Sequence, residues 1–262
     1  MVWLTSQSLL ALVLGCLALA ALVAVASRLA LRALIPASER EGINAVAGPL
    51  MPALGAAFAI LAAITLANEA GYLTSAQGIV SNEAADASRL AWAATTPHVH
   101  GAAIQTDLGK YLVAVRKYEW HGRNAGSGND PAAGSAVAAL ERAVRRQAVR
   151  SVLATPTSTE LLSSLDALTS DRRARLAAAS RELPGLYVVT LAVCAIALIA
   201  NASALTIRSG RRGAFLIWGL VSVIGLSMGL LFALGTPSRG PIVVSGHPLD
   251  LVIRDLANGY FR

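Results

Sequence analysis

Charge is missing from four long stretches of this 262-residue chain: residues 1 to 27, 42 to 68, 183 to 207 and 213 to 238 contain no Asp, Glu, Lys or Arg. A helix crosses the hydrocarbon core of a bilayer with roughly 20 apolar residues, so each stretch is long enough to span. None of them carries an ionisable group at its middle, which counts against a proton relay or an ion-coupled pump. Cysteine is scarce as well. Cys16 and Cys194 both fall inside these stretches, where a thiol is an acceptable small apolar residue, so they say nothing about redox compartment. Strand-like alternation is lacking, which leaves an all-helical chain. No basic stripe is interleaved with aromatics, which argues against nucleic acid as a partner. A phosphate-cradling glycine loop, a Gly-x-Ser-x-Gly elbow and a paired-Cys motif are all absent, so the chain reads as neither an enzyme nor a protein in need of a cofactor.

What is present divides cleanly. A composition of 55% hydrophobic and 14% charged residues is too apolar for a soluble domain of this size, and a bilayer must take up the excess. Of 37 charged residues, 24 lie between positions 69 and 182, as 13 basic and 11 acidic side chains. The net charge of +7 therefore comes largely from arginines beside the apolar stretches, which read as headgroup contacts and topology signals. The reading is an integral membrane protein with four transmembrane helices in two hairpins and a helical extramembrane domain inserted between the second and third. Residues 1–68 form the first hairpin, 69–182 the soluble domain, 183–238 the second hairpin and 239–262 a C-terminal tail. No basic residue precedes the first apolar run, which is also longer than the 7 to 15 residues of a signal-peptide core, so it is read as a retained span.

The second span is the most patterned. Gly48, Pro52, Gly55, Ala59 and Ala62 recur at spacings of three and four, a small-residue face that lets another helix approach closely. The neighbouring face carries Met51, Leu54, Phe58, Leu61 and Thr65, bulky and mostly apolar. Such a row either lines a dewetting constriction in a pore or fills the bundle interior. Pro52 should kink this helix. In the fourth span Gly225 and Gly229 make a GxxxG match that points to a close helix crossing.

In the soluble segment the second span continues as helix to about residue 94. A further helix places Ile104, Leu108, Leu112, Val115 and Tyr118 on one face and ends at His121-Gly122, before a Gly, Ser, Asn and Asp cluster. The next begins at Pro131 with Asp130 as N-cap, and a last one begins at Thr157, whose spacing to Glu160 fits a capping box. Arg142, Arg145, Arg146 and Arg150 share a region of the Pro131 helix, either as a solvated face or as an electropositive vestibule that attracts anions. His98, His100, Glu119 and His121 make a metal site only if the fold gathers them, and the reading is that it does not. Glu83 and Glu119 stand in otherwise apolar or aromatic helical surroundings and are expected to be structural polar anchors. Arg89, Arg116 and the cluster Arg172 to Arg175 are their candidate partners.

Several of these segments carry a resemblance. Val80-Ser-Asn-Glu83-Ala84, Leu108-Gly-Lys-Tyr111, Tyr118-Glu119-Trp120 and Arg173-Ala-Arg175-Leu176, with Leu183-Pro184 opening the third span, resemble the bacterial bestrophin-like family of four-span membrane proteins over most of the chain. That family closes its fourth span with an Asp-x-Pro-Phe-x-Gly-like element, where this chain has Gly235-Thr-Pro237-Ser-Arg-Gly240. The acidic and aromatic positions are thus Gly235 and Ser238. The bestrophins proper are pentameric anion channels with a hydrophobic neck on the second span and a cytosolic helical domain. The resemblance therefore implies a homo-oligomer, small anions as permeants, a neck at Met51, Leu54 and Phe58, and cytosolic termini. Residues 235 to 246 contain no Asp or Glu, so nothing resembles the acidic calcium clasp of animal bestrophins.

Orientation is argued both ways. Arginines at 28, 32, 40, 208, 211 and 212 place the short loops in the cytoplasm, whereas Arg172, Arg173, Arg175 and Arg181 pull the central domain there. The expected function is a bestrophin-like, oligomeric anion channel in the cell membrane, the inner membrane of a bacterium. The alternative is a non-conducting scaffold or sensor whose helical domain binds a partner.

Overall fold

A computed structural model describes residues 8–36, 40–120, 130–150, 152–181, 183–207, 209, 211–235 and 242–261. Among these, every regular element is helical: α1 (Leu9–Leu34), α2 (Arg40–Ala93), α3 (Gly101–Ala114) continued by a π-helical turn (Val115–Trp120), α4 (Pro131–Ala148), α5 (Thr155–Ala179), α6 (Gly185–Leu205), α7 (Arg211–Leu234) and α8 (His247–Ala257). Four of them are long and apolar enough to cross a membrane: α1, the Ala45–Ala93 part of α2, α6 and the Arg212–Leu234 part of α7. The all-helical membrane fold read from the sequence is the observed one. The chain forms two compact units, one of residues 1–71 with 182–236 and 240–242, the other of residues 72–181 with 237–239 and 243–262.

The first unit packs the spans. Ala20 and Ala24 of α1, Phe58 and Ala62 of α2, Leu191, Ala195, Leu198 and Ile199 of α6, and Ile217, Val221, Ile224 and Leu231 of α7 form one buried cluster. Gly225 and Gly229 are where α7 meets α1 most closely. A Cβ on Gly225 would stand 2.9 Å from Leu17 Cα, and one on Gly229 2.9 Å from Val13 Cα. Those obstacles are backbone, which cannot swing aside. Gly229→Val is therefore expected to push the two spans apart and destabilise the unit by about 1–3 kcal/mol, the usual cost of overpacking. Gly48→Ala, with nothing within 4 Å of its Cβ position, should melt like the wild type in detergent.

The helix α2 continues through both Pro49 and Pro52. It buries one stripe along its length: Phe58, Ala62, Thr65 and Glu69 in the first unit, then Ala76, Val80, Glu83, Ala87 and Leu90 in the second. The second unit closes that stripe with Ile104, Leu108 and Leu112 of α3, Leu140 and Val144 of α4, and Leu161, Leu165 and Leu168 of α5. Asp130 caps α4 as its sequence predicts, accepting from Ala132 N at 2.8 Å, with Pro131 in the first turn. The capping box expected at Thr157 is not formed. The helix α5 begins at Thr155, because Pro156 needs no donor in a first turn, and Glu160 turns to Arg89 instead. Residues assigned to a tail form α8, which buries Leu249 and Val252 in the same core as Phe261.

Candidate functional site

Within the first unit the two patterned faces of α2 have distinct surroundings. Phe58 and Thr65 are each 5% exposed, and Met51, Leu54 and Leu61 pack against the cluster that holds Phe58. Thr65 donates its hydroxyl to the Leu61 carbonyl at 2.7 Å, which satisfies a polar atom inside an apolar core. The small-residue face is open over its first part: Pro52 and Ala59 are exposed, and among the described residues no atom lies within 4 Å of a Cβ position on Gly48 or Gly55, whereas Ala62 is buried with Phe58. Between spans, association rests mainly on dispersion, and bulky side chains supply many more contacts than glycine. The bulky row is therefore the one the chain packs against itself. Asn201, near the end of the third span, ties α6 to α2 by donating to the Ala47 carbonyl at 3.0 Å.

Arg28, read as a headgroup contact, has a second task. Its Nη2 donates to the carbonyls of Thr206 and Ser209 at 3.2 Å each, at the C-terminal end of α6, where carbonyls lack helical partners and the dipole favours a cation. The basic residues of α4 lie at spacings of three and four on its surface. Arg142, Arg145 and Arg146 are exposed, while Arg150 is half-buried and donates to Gln147 Oε1 at 3.1 Å beside His100. His98 and His100 are exposed before α3, whereas Glu119 is buried at the far end of the same helical run. His121 lies outside the described residues, as does the cluster that follows it. The other three are not brought together.

The second unit holds a buried charge cluster. Arg175 donates from Nε to Glu83 Oε2 at 2.5 Å and from Nη2 to Glu83 Oε1 at 3.3 Å, and its Nη2 also lies 2.8 Å from Glu119 Oε2. Arg172 donates to Glu119 Oε1 at 2.6 Å. Tyr111 donates its hydroxyl to Glu83 Oε1, and the Trp120 ring lies under the Arg175 guanidinium, 5.2 Å from ring centre to Cζ. All four charged groups are under a tenth exposed, and they neutralise one another. The π-helical turn carries Glu119 and Trp120 into this cluster. Of the proposed partners, Arg172 and Arg175 meet the glutamates. Arg89 instead pairs with Glu160, and Arg116 with Asp250 of α8 at 2.6 and 2.9 Å.

Burial and then the neighbouring Glu83 carboxylate push the Tyr111 hydroxyl well above its ordinary range. Burial would lower Arg175, but the Glu83 carboxylate outweighs it and holds the guanidinium above its usual value. A phenol whose folded value is raised contributes stability that is complete below the unfolded value of about 10 and is lost as pH rises beyond it. This cluster therefore favours the fold at neutral pH and weakens in alkali.

Sequence reasoning assigned no role to the side chains of Tyr111 and Asn201 and took α8 for a tail. For α8 a signal was available: Pro248 beside the start, then Leu249, Val252, Ile253 and Leu256 at spacings of three and four. The segments that carried the family resemblance converge on the charge cluster, through Glu83, Tyr111, Glu119 with Trp120, and Arg175. Comparison with curated proteins and with solved structures finds no match. A family model described as the bestrophin-like domain matches residues 18–249, nearly the whole chain. Four membrane-spanning helices, a helical unit inserted between them and this match together place the chain in the bestrophin-like family.

Proposed function

We propose that the protein is a homo-oligomeric permeation protein for small anions in a cell membrane. The observation that carries the reading is the open part of α2: Gly48, Pro52 and Gly55 form a close-approach surface that no helix among the described residues occupies. Copies that associate through it bring their second spans together, the arrangement from which a shared path is built. Family membership supports the same reading. The experiment compares wild type with Gly55→Leu, by light-scattering mass in mild detergent and by halide flux in liposomes. Wild type is expected to be an oligomer that passes halide, and the variant to lose both properties while its spans remain folded. A wild-type monomer without flux contradicts the proposal.

The second reading, a non-conducting scaffold or sensor, draws on Trp92 and Tyr260. These stand edge to face with ring centres 5.6 Å apart and are 48% and 63% exposed, an aromatic surface of the kind that anchors partners. It predicts a captured partner that Trp92→Ser releases, with no halide flux from the wild type.

A further inference from the structure

Where the end of α6 meets the start of α2, the first unit carries an open apolar groove of about 450 Å³. Val46 and Leu50 line it and are 67% and 48% exposed; Ile35 and Ala204 complete its walls, and Gly42 opens one side. Asn201 is its one polar lining side chain, and its amide already donates to the Ala47 carbonyl, so the groove offers apolar surface rather than a polar pocket. Its open, apolar walls suit an acyl chain.

The rim is positive. Arg32 stands three residues before Ile35 on α1, and Arg28 caps the turn that follows Ala204. A Cβ on Gly213 would meet Thr206 Cβ at 3.0 Å, so α7 starts against that same turn, with Arg212 exposed beside it. We propose that this groove binds an anionic phospholipid, with one acyl chain along Val46 and Leu50 and the phosphate toward Arg32 and Arg212. A free phosphate would leave the apolar walls bare. Phosphatidylcholine would fill them but bring its own cation against the arginines.

The test uses the full chain, delipidated in mild detergent, then given phosphatidylglycerol or phosphatidylcholine, with retained lipids counted by native mass spectrometry. Phosphatidylglycerol is expected to be retained in preference, and each arginine removed by Arg32→Gln or Arg212→Gln should cut that preference about fivefold. Gly42→Phe, whose ring enters space with no atom within 4 Å of its Cβ position, should empty the groove of both lipids. Should that variant fail to fold, Val46→Trp at an exposed position blocks the same groove. Equal retention of the two lipids by wild type overturns the proposal, and so does undiminished phosphatidylglycerol on the blocked variant. A blocked variant that loses oligomer mass while keeping its lipid count also overturns it, because the groove is then covered by a second copy.

Discussion

Arg175→Ala is expected to lower the melting temperature of the protein in detergent by on the order of 10 °C, corresponding to about 3–5 kcal/mol for a buried ion pair broken from one side. The reason is the position of Arg175 between both glutamates. It is the cation that Glu83 contacts, through two hydrogen bonds, and it shares Glu119 with Arg172. Removing it leaves the Glu83 carboxylate, 0% exposed, with the Tyr111 hydroxyl as its partner among the described residues. The paired change Glu83→Leu with Arg175→Met removes the charge from both sides at once and should recover most of the loss, since a whole buried pair replaced by apolar groups of similar size is often neutral. Differential scanning fluorimetry of the three proteins decides it. Wild-type melting of Arg175→Ala would mean that the cluster does not hold the second unit together.

Phe58→Ala should cost about 3–5 kcal/mol through the cavity it leaves. It should not raise halide flux. Phe58 is 5% exposed among Ala20, Ala24, Leu191 and Leu198, so its ring fills the interior of the first unit. A pore formed through the open face of α2 would not be widened by its loss. Flux that rises several-fold with an unchanged melting temperature would instead return Phe58 to a neck, and the small-residue face to helix packing.

The spans, the helical insertion and the cap at Asp130 were legible because each rests on local chemistry: absence of charge over 20 residues or more, a period of three and four, and a carboxylate followed by Pro131. The faces of α2 were legible as patterns. Which of them turns inward was not, because that depends on what α1, α6 and α7 bring against Phe58. The charge cluster was half legible. Buried glutamates imply cations somewhere, but Arg89, Arg116, Arg172 and Arg175 are equivalent as letters, and only the packing of α2, α3 and α5 assigns Arg175 to Glu83 and frees Arg89 for Glu160. That assignment also bears on topology. Arg172 and Arg175 are neutralised inside the second unit, and Arg181 lies over the Tyr72 ring, so this cluster weighs less in the positive-inside argument than its length of sequence suggests.

The most direct measurement of the proposed function is the reversal potential of the purified wild-type protein in a planar bilayer under a potassium chloride gradient. An anion-selective conductance, with a reversal potential near that of chloride and lost in Gly55→Leu, is the predicted result. Absence of any conductance from correctly folded oligomer, or a reversal potential near that of potassium, would contradict it.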